Sequence, residues 1–292
     1  MERSASLAKL LGRDDDAKLL LINADDFGMC HAENVATIDG LESGAFCSTT
    51  VMMPCPWAEE AIDFARRTPG ADVGVHITHT SEWEIYKWGP LSGVGAVPTM
   101  VTPRGYFHPQ VDPFYDSARL DEVERETRAQ IDAALAAGID VTHLDSHMGT
   151  LQLRSQHHEL YVRLAAEYRL PIRVVGRRML EAMGMKHIAS LADELGVLYP
   201  DHLWYGGPPE PAATSSYWTE LMDNLWPGVT EIFIHPAIAD AELRGMTDSA
   251  EQREADHRFF MSAETRRRLR ELDIELVGYR EIRDLQRRLS PC

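Results

Sequence analysis

The sequence is poor in cysteine, in basic residues and in long apolar runs. Its four cysteines, Cys30, Cys47, Cys55 and Cys292, show neither zinc-ribbon spacing nor a disulfide framework, so we expect reduced, partly buried thiols. No apolar run reaches membrane-spanning length and no signal-peptide core is seen, so we expect a cytoplasmic protein with no membrane partner. Basic residues number 29 against 46 acidic ones, and the net charge of -17 argues against a nucleic-acid partner.

Apolar runs of strand length alternate with helical patterns along nearly the whole chain, which is typical of βα units around a parallel sheet. Strands are predicted near residues 18–24, 46–53, 72–78, 139–147, 171–175, 230–236 and 274–277. Length alone would also allow two domains. Because no linker interrupts the pattern, we predict one α/β domain over residues 1–292, with an N-terminal extension over residues 1–17. Its expected fold is a TIM-like (β/α) barrel, complete or distorted, of about seven to eight βα units.

The pattern lapses over residues 80–118, where proline, glycine and aromatic residues are concentrated. A stretch of this length without regular structure is typical of a lid or a binding loop. Trp83 and Trp88 are its largest apolar surfaces, and the C–H faces of sugars pack on such rings. Both rings are therefore candidates for substrate binding, and anchoring of this insertion to the barrel is the alternative.

Two adjacent carboxylates, Asp25 and Asp26, end the apolar run that begins at Leu19. Burying a carboxylate costs several kcal/mol unless a partner compensates its charge, and a second carboxylate adds repulsion. A bound cation would compensate both, with one carboxylate as its ligand and the other beside the water that it activates. The alternative is a turn whose acids cap the next helix.

Three histidines, His76, His147 and His235, also lie at predicted strand ends. In parallel α/β barrels the C-terminal ends of the strands form the active site, so residues far apart in sequence converge there. One carboxylate and two imidazoles form a common metal-ligand set that leaves positions for water and substrate. For each ring the alternative is a hydrogen-bonded core histidine. We expect no catalytic role for the rings of His157, His158, His187, His202 and His257.

Further candidates lie on the strand predicted over residues 139–147. His143, Asp145 and His147 alternate along this segment and therefore share one face. A carboxylate two residues from a ligating histidine can fix the tautomer of that ring. Asp145 is the candidate for this role, with an ion pair to an arginine as the alternative, and His143 is a second candidate beside the site.

Three segments, NADDFG at 23–28, GVHIT at 74–78 and THLDSH at 142–147, resemble the signature segments of the YdjC-like carbohydrate deacetylases in order and spacing. EIFIHP at 231–236 is similar to a late strand motif of that family, so the resemblance covers most of the chain. It implies a metal-dependent hydrolase that removes N-acetyl groups from an amino sugar or oligosaccharide. It also implies that Asp25 is the general base, that Asp26, His76 and His147 are the metal ligands, and that His235 is the acid.

The resemblance further implies that Arg173 contacts the base carboxylate, with a surface ion pair as the alternative. One divalent metal ion is expected as the cofactor. Two imidazoles and a carboxylate suit Zn, Ni, Co or Fe better than Mg; we take Zn as the first choice and keep Mg because the resemblance also allows it. The partner is then a small acetylated sugar, and a homo-oligomer stays open.

The chain departs from the family at Gly149 and Leu151, where further histidines are usual, and this departure bears on how a substrate is positioned. Two other functions therefore stay open. One is an esterase or amidase that acts on a non-sugar acyl compound. The other is a non-catalytic metal- or sugar-binding barrel.

Overall fold

The computed structural model describes residues 5–289, and within this range seven parallel strands form one curled sheet. The strands are β1 (Lys18–Phe27), β2 (Ser48–Val51), β3 (Val73–Ile77), β4 (Leu144–Ser146), β5 (His202–Trp204), β6 (Gly228–Ile234) and β7 (Ile274–Leu276). The helices are α1 (Leu7–Leu10), α2 (His31–Glu42), α3 (Ala58–Arg67), α4 (Val111–Ser117), α5 (Leu120–Ala136), α6 (Ser155–Tyr168), α7 (Arg177–Ala182), α8 (Lys186–Leu195), α9 (Thr214–Asp223), α10 (Ala241–Met246), α11 (Ala250–Met261), α12 (Ala263–Glu271) and α13 (Tyr279–Leu289).

The longest strand, β1, lies at the centre of the sheet. The strands pair in the order β4-β3-β2-β1-β6-β5, and β7 pairs with the first residues of β1. The apolar run from Leu19 to Ile22 is fully buried, as expected for a parallel strand that is covered on both faces. The carboxyl end of this strand is therefore held in place by neighbours on both sides.

The sheet does not close through a regular ladder between β4 and β5 in the described part of the chain. Instead, Leu144 forms a single bridge with Ile172, and the Ile172 amide donates to the Leu198 carbonyl at 3.1 Å. The predicted α/β class and parallel sheet are confirmed, whereas a complete TIM barrel is not. The segment predicted as a strand over 171–175 forms only this bridge, in part because Pro171 has no amide hydrogen to donate.

The 80–118 insertion is more ordered than the sequence pattern suggested. It contains a short 3-10 helix at Pro98–Met100 and the helix α4. Two buried carboxylates of α5 accept hydrogen bonds from its backbone: Glu126 from the Leu91 amide at 3.0 Å and Glu122 from the Thr99 amide at 2.9 Å. The insertion is thus fixed to α5 by charged acceptors that satisfy its buried amides.

Three of the four cysteines lie within the described residues. Cys30, Cys47 and Cys55 are free thiols, and Cys292 lies outside the described residues. No helix within residues 5–289 combines the length and apolarity needed to cross a bilayer. In the predicted N-terminal extension, Leu7 is buried against the same apolar cluster as Leu19.

The backbone of β3 passes so close to residue 143 that glycine alone fits at position 74. A Cβ added at Gly74 would lie 2.6 Å from the His143 ring and from its carbonyl oxygen. We expect Gly74→Ala to lower the free energy of unfolding by about 1–3 kcal/mol in urea denaturation. Gly70→Ala is the control, because nothing lies within 4 Å of its added Cβ. Equal losses in the two variants would contradict this packing argument.

Candidate active site

Both carboxylates at the end of β1 line one cavity because the strand is irregular there. In a regular strand, successive side chains point to opposite faces. The register between β1 and β2 shifts between Ala24 and Phe27, and Asp26 has a φ of 67°, in the left-handed region. This irregularity brings Asp25 and Asp26 to the same cavity, which has a volume of about 310 Å³.

Asp25 is a buried carboxylate that an arginine keeps ionised. Its two oxygens accept hydrogen bonds from the two terminal nitrogens of Arg173, both at 2.7 Å, and Oδ1 also accepts from Asn23 at 2.8 Å. Burial raises the pKa of Asp25, but the Arg173 guanidinium outweighs burial and lowers the pKa to about 2. Asp25 therefore carries its charge at neutral pH.

Asp26, His76 and His147 place three acceptor atoms around one point. Asp26 Oδ1 lies 3.4 Å from His76 Nε2 and 3.4 Å from His147 Nδ1, and these two nitrogens are 3.2 Å apart. Asp26 Oδ1 is buried and accepts no hydrogen bond of good geometry from residues 5–289. The ligand atoms of the three residues lie within 4.8 Å of one another, so the group fits a divalent cation with open positions for other ligands.

Two carboxylates contact the outer nitrogens of these rings. Asp145 Oδ1 lies 2.6 Å from His76 Nδ1, and Glu82 Oε2 lies 2.9 Å from His147 Nε2. An outer nitrogen that donates to a carboxylate leaves the inner nitrogen available for a metal ion. The sequence suggested that Asp145 contacts His147. In the structure it contacts His76 instead, because β3 and β4 pair His76 directly with Asp145.

These carboxylates also determine the charge of the rings. Burial lowers the pKa of both histidines, but Asp145 more than offsets this at His76, so its pKa is raised. Glu82 and Asp26 together raise the pKa of His147 well above its usual value. The negative field that favours a protonated ring also favours a bound cation.

A second group, formed by Asp25, His76 and Asp145, also has ligand atoms within 4.8 Å of one another. A guanidinium already compensates it, because Arg173 pairs with Asp25 and lies 2.9 Å from Asp145 Oδ2. The Nε of Arg173 donates to Glu231 at 2.7 Å. The first group is therefore the better candidate for a metal ion.

His235 follows the last residue of β6 and lines the same cavity. No hydrogen-bond partner of its ring is found among residues 5–289, and Phe233 packs edge-on at 5.9 Å between ring centres. Burial lowers the pKa of His235, and Arg253 adds to this effect, while Asp26 acts in the opposite direction. The net pKa is below the usual value, so the ring gives up a proton readily.

His143 lies behind the cavity wall. Its ring is fully buried and stacks on Tyr279 with 3.7 Å between ring centres, and its Nε2 is 3.2 Å from Asn23 Oδ1. Burial lowers its pKa well below the usual value. β4 covers only Leu144–Ser146, so His143 comes just before this strand and His147 just after it.

The two tryptophans of the 80–118 insertion are core residues. Trp83 and Trp88 are 7% and 2% exposed, and their ring centres are 6.3 Å apart. Trp88 Nε1 donates to the Thr80 carbonyl at 2.7 Å, and its ring lies edge-on to His147. Neither indole lines the cavity, and their burial leaves no open face for a sugar. These contacts support the alternative in which both rings anchor the insertion.

Several cavity features were not singled out by the sequence pattern. Arg253, on α11, donates to Asp26 Oδ2 at 2.8 Å and to Glu33, and Glu82 enters from the insertion. Burial raises the pKa of Asp26, but Arg253 and the nearby histidines hold it well below its usual value. No local motif marks Arg253 or Glu82, because both approach the site through long-range packing. Gly149 lines the cavity, whereas the Leu151 side chain is buried in the core.

Known proteins that resemble this chain match over most of its length. The family model described as YdjC-like protein matches residues 19–271. The chain belongs to the YdjC-like family. The carbohydrate deacetylase of Thermus thermophilus is 34% identical over 263 residues, which cover 87% of this chain and 90% of that protein. The carbohydrate deacetylase of Thermoanaerobacter pseudethanolicus is 28% identical over 264 residues, covering 90% and 98% respectively.

A solved structure also matches this member of the YdjC-like family. It comes from Enterococcus faecalis and is described provisionally as a cellobiose-phosphate cleavage protein. The two structures superpose with a TM-score of 0.80 at 29% identity, and the match covers 91% of this chain and 99% of the other. The two chains therefore share most of their fold.

The buried position of Trp88 in this YdjC-like chain leads to a stability prediction. We expect Trp88→Ala to lower the free energy of unfolding by about 3–5 kcal/mol, because it leaves a large cavity and an unpaired Thr80 carbonyl. Chemical denaturation followed by circular dichroism measures this loss. Trp226→Ala is the control, because Trp226 is 60% exposed and its loss should change stability by less than about 0.5 kcal/mol. Similar stabilities for the two variants would contradict the anchoring role.

Proposed function

We propose that this YdjC-like protein is a metal-dependent hydrolase that removes N-acetyl groups from an amino sugar or oligosaccharide. The observation that carries the proposal is the convergence of Asp26, His76 and His147 on one point beside the ionised Asp25 and the ring of His235. The relatives named carbohydrate deacetylases match most of the chain and support the substrate class.

In this proposal Asp26, His76 and His147 hold one divalent ion, with Zn as the first choice and Mg, Ni, Co or Fe as alternatives. When bound, such an ion supplies a Lewis acid that polarises the acetyl carbonyl and lowers the pKa of a water molecule to about 7. Asp145 and Glu82 keep the two rings in the ligating tautomer. Arg253 occupies Asp26 Oδ2, which leaves Oδ1 as the ligand oxygen.

Asp25 takes the proton from the attacking water. A carboxylate has about four lone-pair positions, and hydrogen bonds from Arg173 and Asn23 use three of them at Asp25. The remaining position, on Oδ2, can accept a proton from a water molecule in the cavity. The two-pronged contact with Arg173 fixes the orientation of the carboxylate before the substrate binds.

His235 delivers a proton to the departing nitrogen. An amine leaves as an anion only with great difficulty, so protonation of the nitrogen accompanies cleavage of the C–N bond. The lowered pKa of His235 makes its imidazolium a stronger acid. The proton that Asp25 takes up and the proton that His235 gives up balance over one turnover, which yields acetate and the free amino sugar.

A release assay tests the proposed function. Metal-loaded protein is incubated with N-acetylated mono- and oligosaccharides and, in parallel, with simple acetyl esters and non-sugar acetamides. We expect acetate and free amine from at least one sugar substrate. Preference for the non-sugar compounds would favour an esterase or amidase, and release from none of them would favour a binding protein.

Changing each of the two adjacent carboxylates to its amide should affect metal content and activity differently. Asp26→Asn replaces an anionic ligand by a weaker neutral one, so bound metal and activity should fall together, as they should in His76→Ala and His147→Ala. Asp25→Asn should keep its metal but lose about two to four orders of magnitude in kcat. Metal content by elemental analysis and the effect of a chelator on the melting temperature separate these outcomes. If Asp25→Asn lost its metal and Asp26→Asn kept it, Asp25 would be the metal ligand and Asp26 the general base.

The pH dependence should identify the acid. Because the pKa of Asp25 is about 2, it is ionised throughout the working range and does not produce the acid limb of the profile. His235 acts only when protonated, so activity should fall as the pH rises through its pKa, which lies below the usual value for histidine. We expect His235→Asn to lose about 100-fold or more in kcat and to lack this alkaline fall. An unchanged alkaline limb in the variant would assign it to another group.

A further inference from the structure

The cavity of the candidate site has a polar floor and a largely apolar wall. The acids, histidines and arginines described above form the floor. The wall away from them includes Met148, Leu153, Met183, Leu203, Tyr205 and Phe233. Of the residues described, no lysine lines this cavity, and both of its arginines are paired with carboxylates, Arg173 with Asp25 and Glu231, and Arg253 with Asp26 and Glu33. The cavity therefore offers a negatively charged ligand no unpaired side-chain cation.

One polar side chain stands out among the residues beyond the floor. His158, on α6, is 1% exposed and lines the cavity, yet neither of its ring nitrogens has a hydrogen-bond partner of good geometry among residues 5–289. A buried polar group without a partner carries a free-energy cost, so such groups are rare unless a ligand or water satisfies them. The sequence had indicated no role for this histidine.

The charge of His158 restricts what it can bind. Burial lowers its pKa to about 4, and a contact with the Gln152 backbone, whose geometry falls short of a good hydrogen bond, offsets only part of this shift. At neutral pH the ring is neutral, so one nitrogen donates a hydrogen bond and the other accepts one. A hydroxyl group is also both a donor and an acceptor and matches this ring, whereas a phosphate requires cations or several donors.

We propose that His158 and the apolar wall form a subsite for one uncharged acetylated sugar residue, in which His158 hydrogen-bonds a sugar hydroxyl. This inference rests on the proposed deacetylase function. Tyr205 and Phe233, whose ring centres are 5.9 Å apart, supply aromatic surface for the C–H face of the sugar. The volume of about 310 Å³ is at the lower end for ligand pockets, which favours a single sugar residue inside the cavity.

Two matched variants test the role of His158. His158→Leu keeps the approximate size of the side chain and removes both nitrogens. His157→Leu makes the same change at a neighbouring ring that is also 1% exposed and has no hydrogen-bond partner of good geometry among residues 5–289, but does not line the cavity. Neither variant should unfold more easily, because each removes unsatisfied nitrogens from a buried position. We expect only His158→Leu to raise KM for N-acetylglucosamine, by on the order of 10-fold with little change in kcat.

Substrate analogues make the test independent of general damage to the site. The wild-type protein should discriminate on the order of 10-fold against one monodeoxy analogue of N-acetylglucosamine, and His158→Leu should treat that analogue and the parent sugar alike. The 6-phosphate of N-acetylglucosamine should have a kcat/KM at least about 10-fold below that of the parent sugar, because among the described residues no unpaired lysine or arginine lines the cavity to compensate its charge. An unchanged KM in His158→Leu, or preference for the 6-phosphate, would overturn the inference.

Failure of the proposed function would look different, because the wild-type protein would then release acetate from no sugar at all. In that case sugar binding is followed through the rise in melting temperature that N-acetylglucosamine causes. A rise in the wild type and in His157→Leu that is lost in His158→Leu supports the subsite. Equal rises in all three proteins, or none in the wild type, overturn it.

Discussion

The burial of negative charge around the end of β1 is the constraint on which the site depends. The acids gathered there, each at most 3% exposed, are Asp25, Asp26, Glu33, Asp145 and Glu231. Arg173 and Arg253 lie among them, so the arginines compensate only part of the charge. Burial raises the pKa of Glu33 to about 8 and that of Glu231 to about 7, which reduces the charge further. Two imidazoles converge on Asp26 Oδ1, the carboxylate oxygen that accepts no hydrogen bond of good geometry from residues 5–289.

The backbone of β1 contributes to the same arrangement. Residues in the left-handed region other than glycine cost about 1–3 kcal/mol and persist where the surrounding structure holds them. Asp26 is held in this conformation by the flanking ladders, by Arg253 on one carboxylate oxygen, and by the Met29 amide, which donates to its carbonyl at 3.0 Å. The strained conformation allows both carboxylates to face the cavity, because a regular strand would turn one of them away from it.

The sequence allowed the positions of Asp25, Asp26, His76 and His235 at one edge of the sheet to be predicted. Parallel strands place their carboxyl ends together whatever the details of the ladders, so strand ends alone locate these residues. The partner of Asp145 could not be predicted, because it depends on the register of β3 and β4. The gap between β4 and β5 likewise depends on single backbone hydrogen bonds that have no sequence pattern.

The insertion shows a different limit of sequence patterns. Its aromatic residues suggested an open binding loop, yet Trp83 and Trp88 are buried. The insertion is fixed by hydrogen bonds from its backbone to the buried carboxylates of Glu122 and Glu126. Both residues lie on a helix, and the sequence pattern does not distinguish them from ordinary surface charges. Arg253 was missed for the same reason, since only the three-dimensional packing of α11 brings it to Asp26.

The pairing of β1 also has a consequence for how the chain reaches its folded state. The strand that carries the carboxylates appears early in the sequence, but its neighbours β6 and β7 come from near the other end of the chain. Closing such long loops costs entropy before any contact compensates it, so folds with distant pairings form slowly. During synthesis, one edge of β1 remains unpaired until most of the protein has been made. The carboxylates at the end of β1 remain hydrated until then. The cavity is therefore completed only after β6, which ends just before His235, and α11, which carries Arg253, have been made.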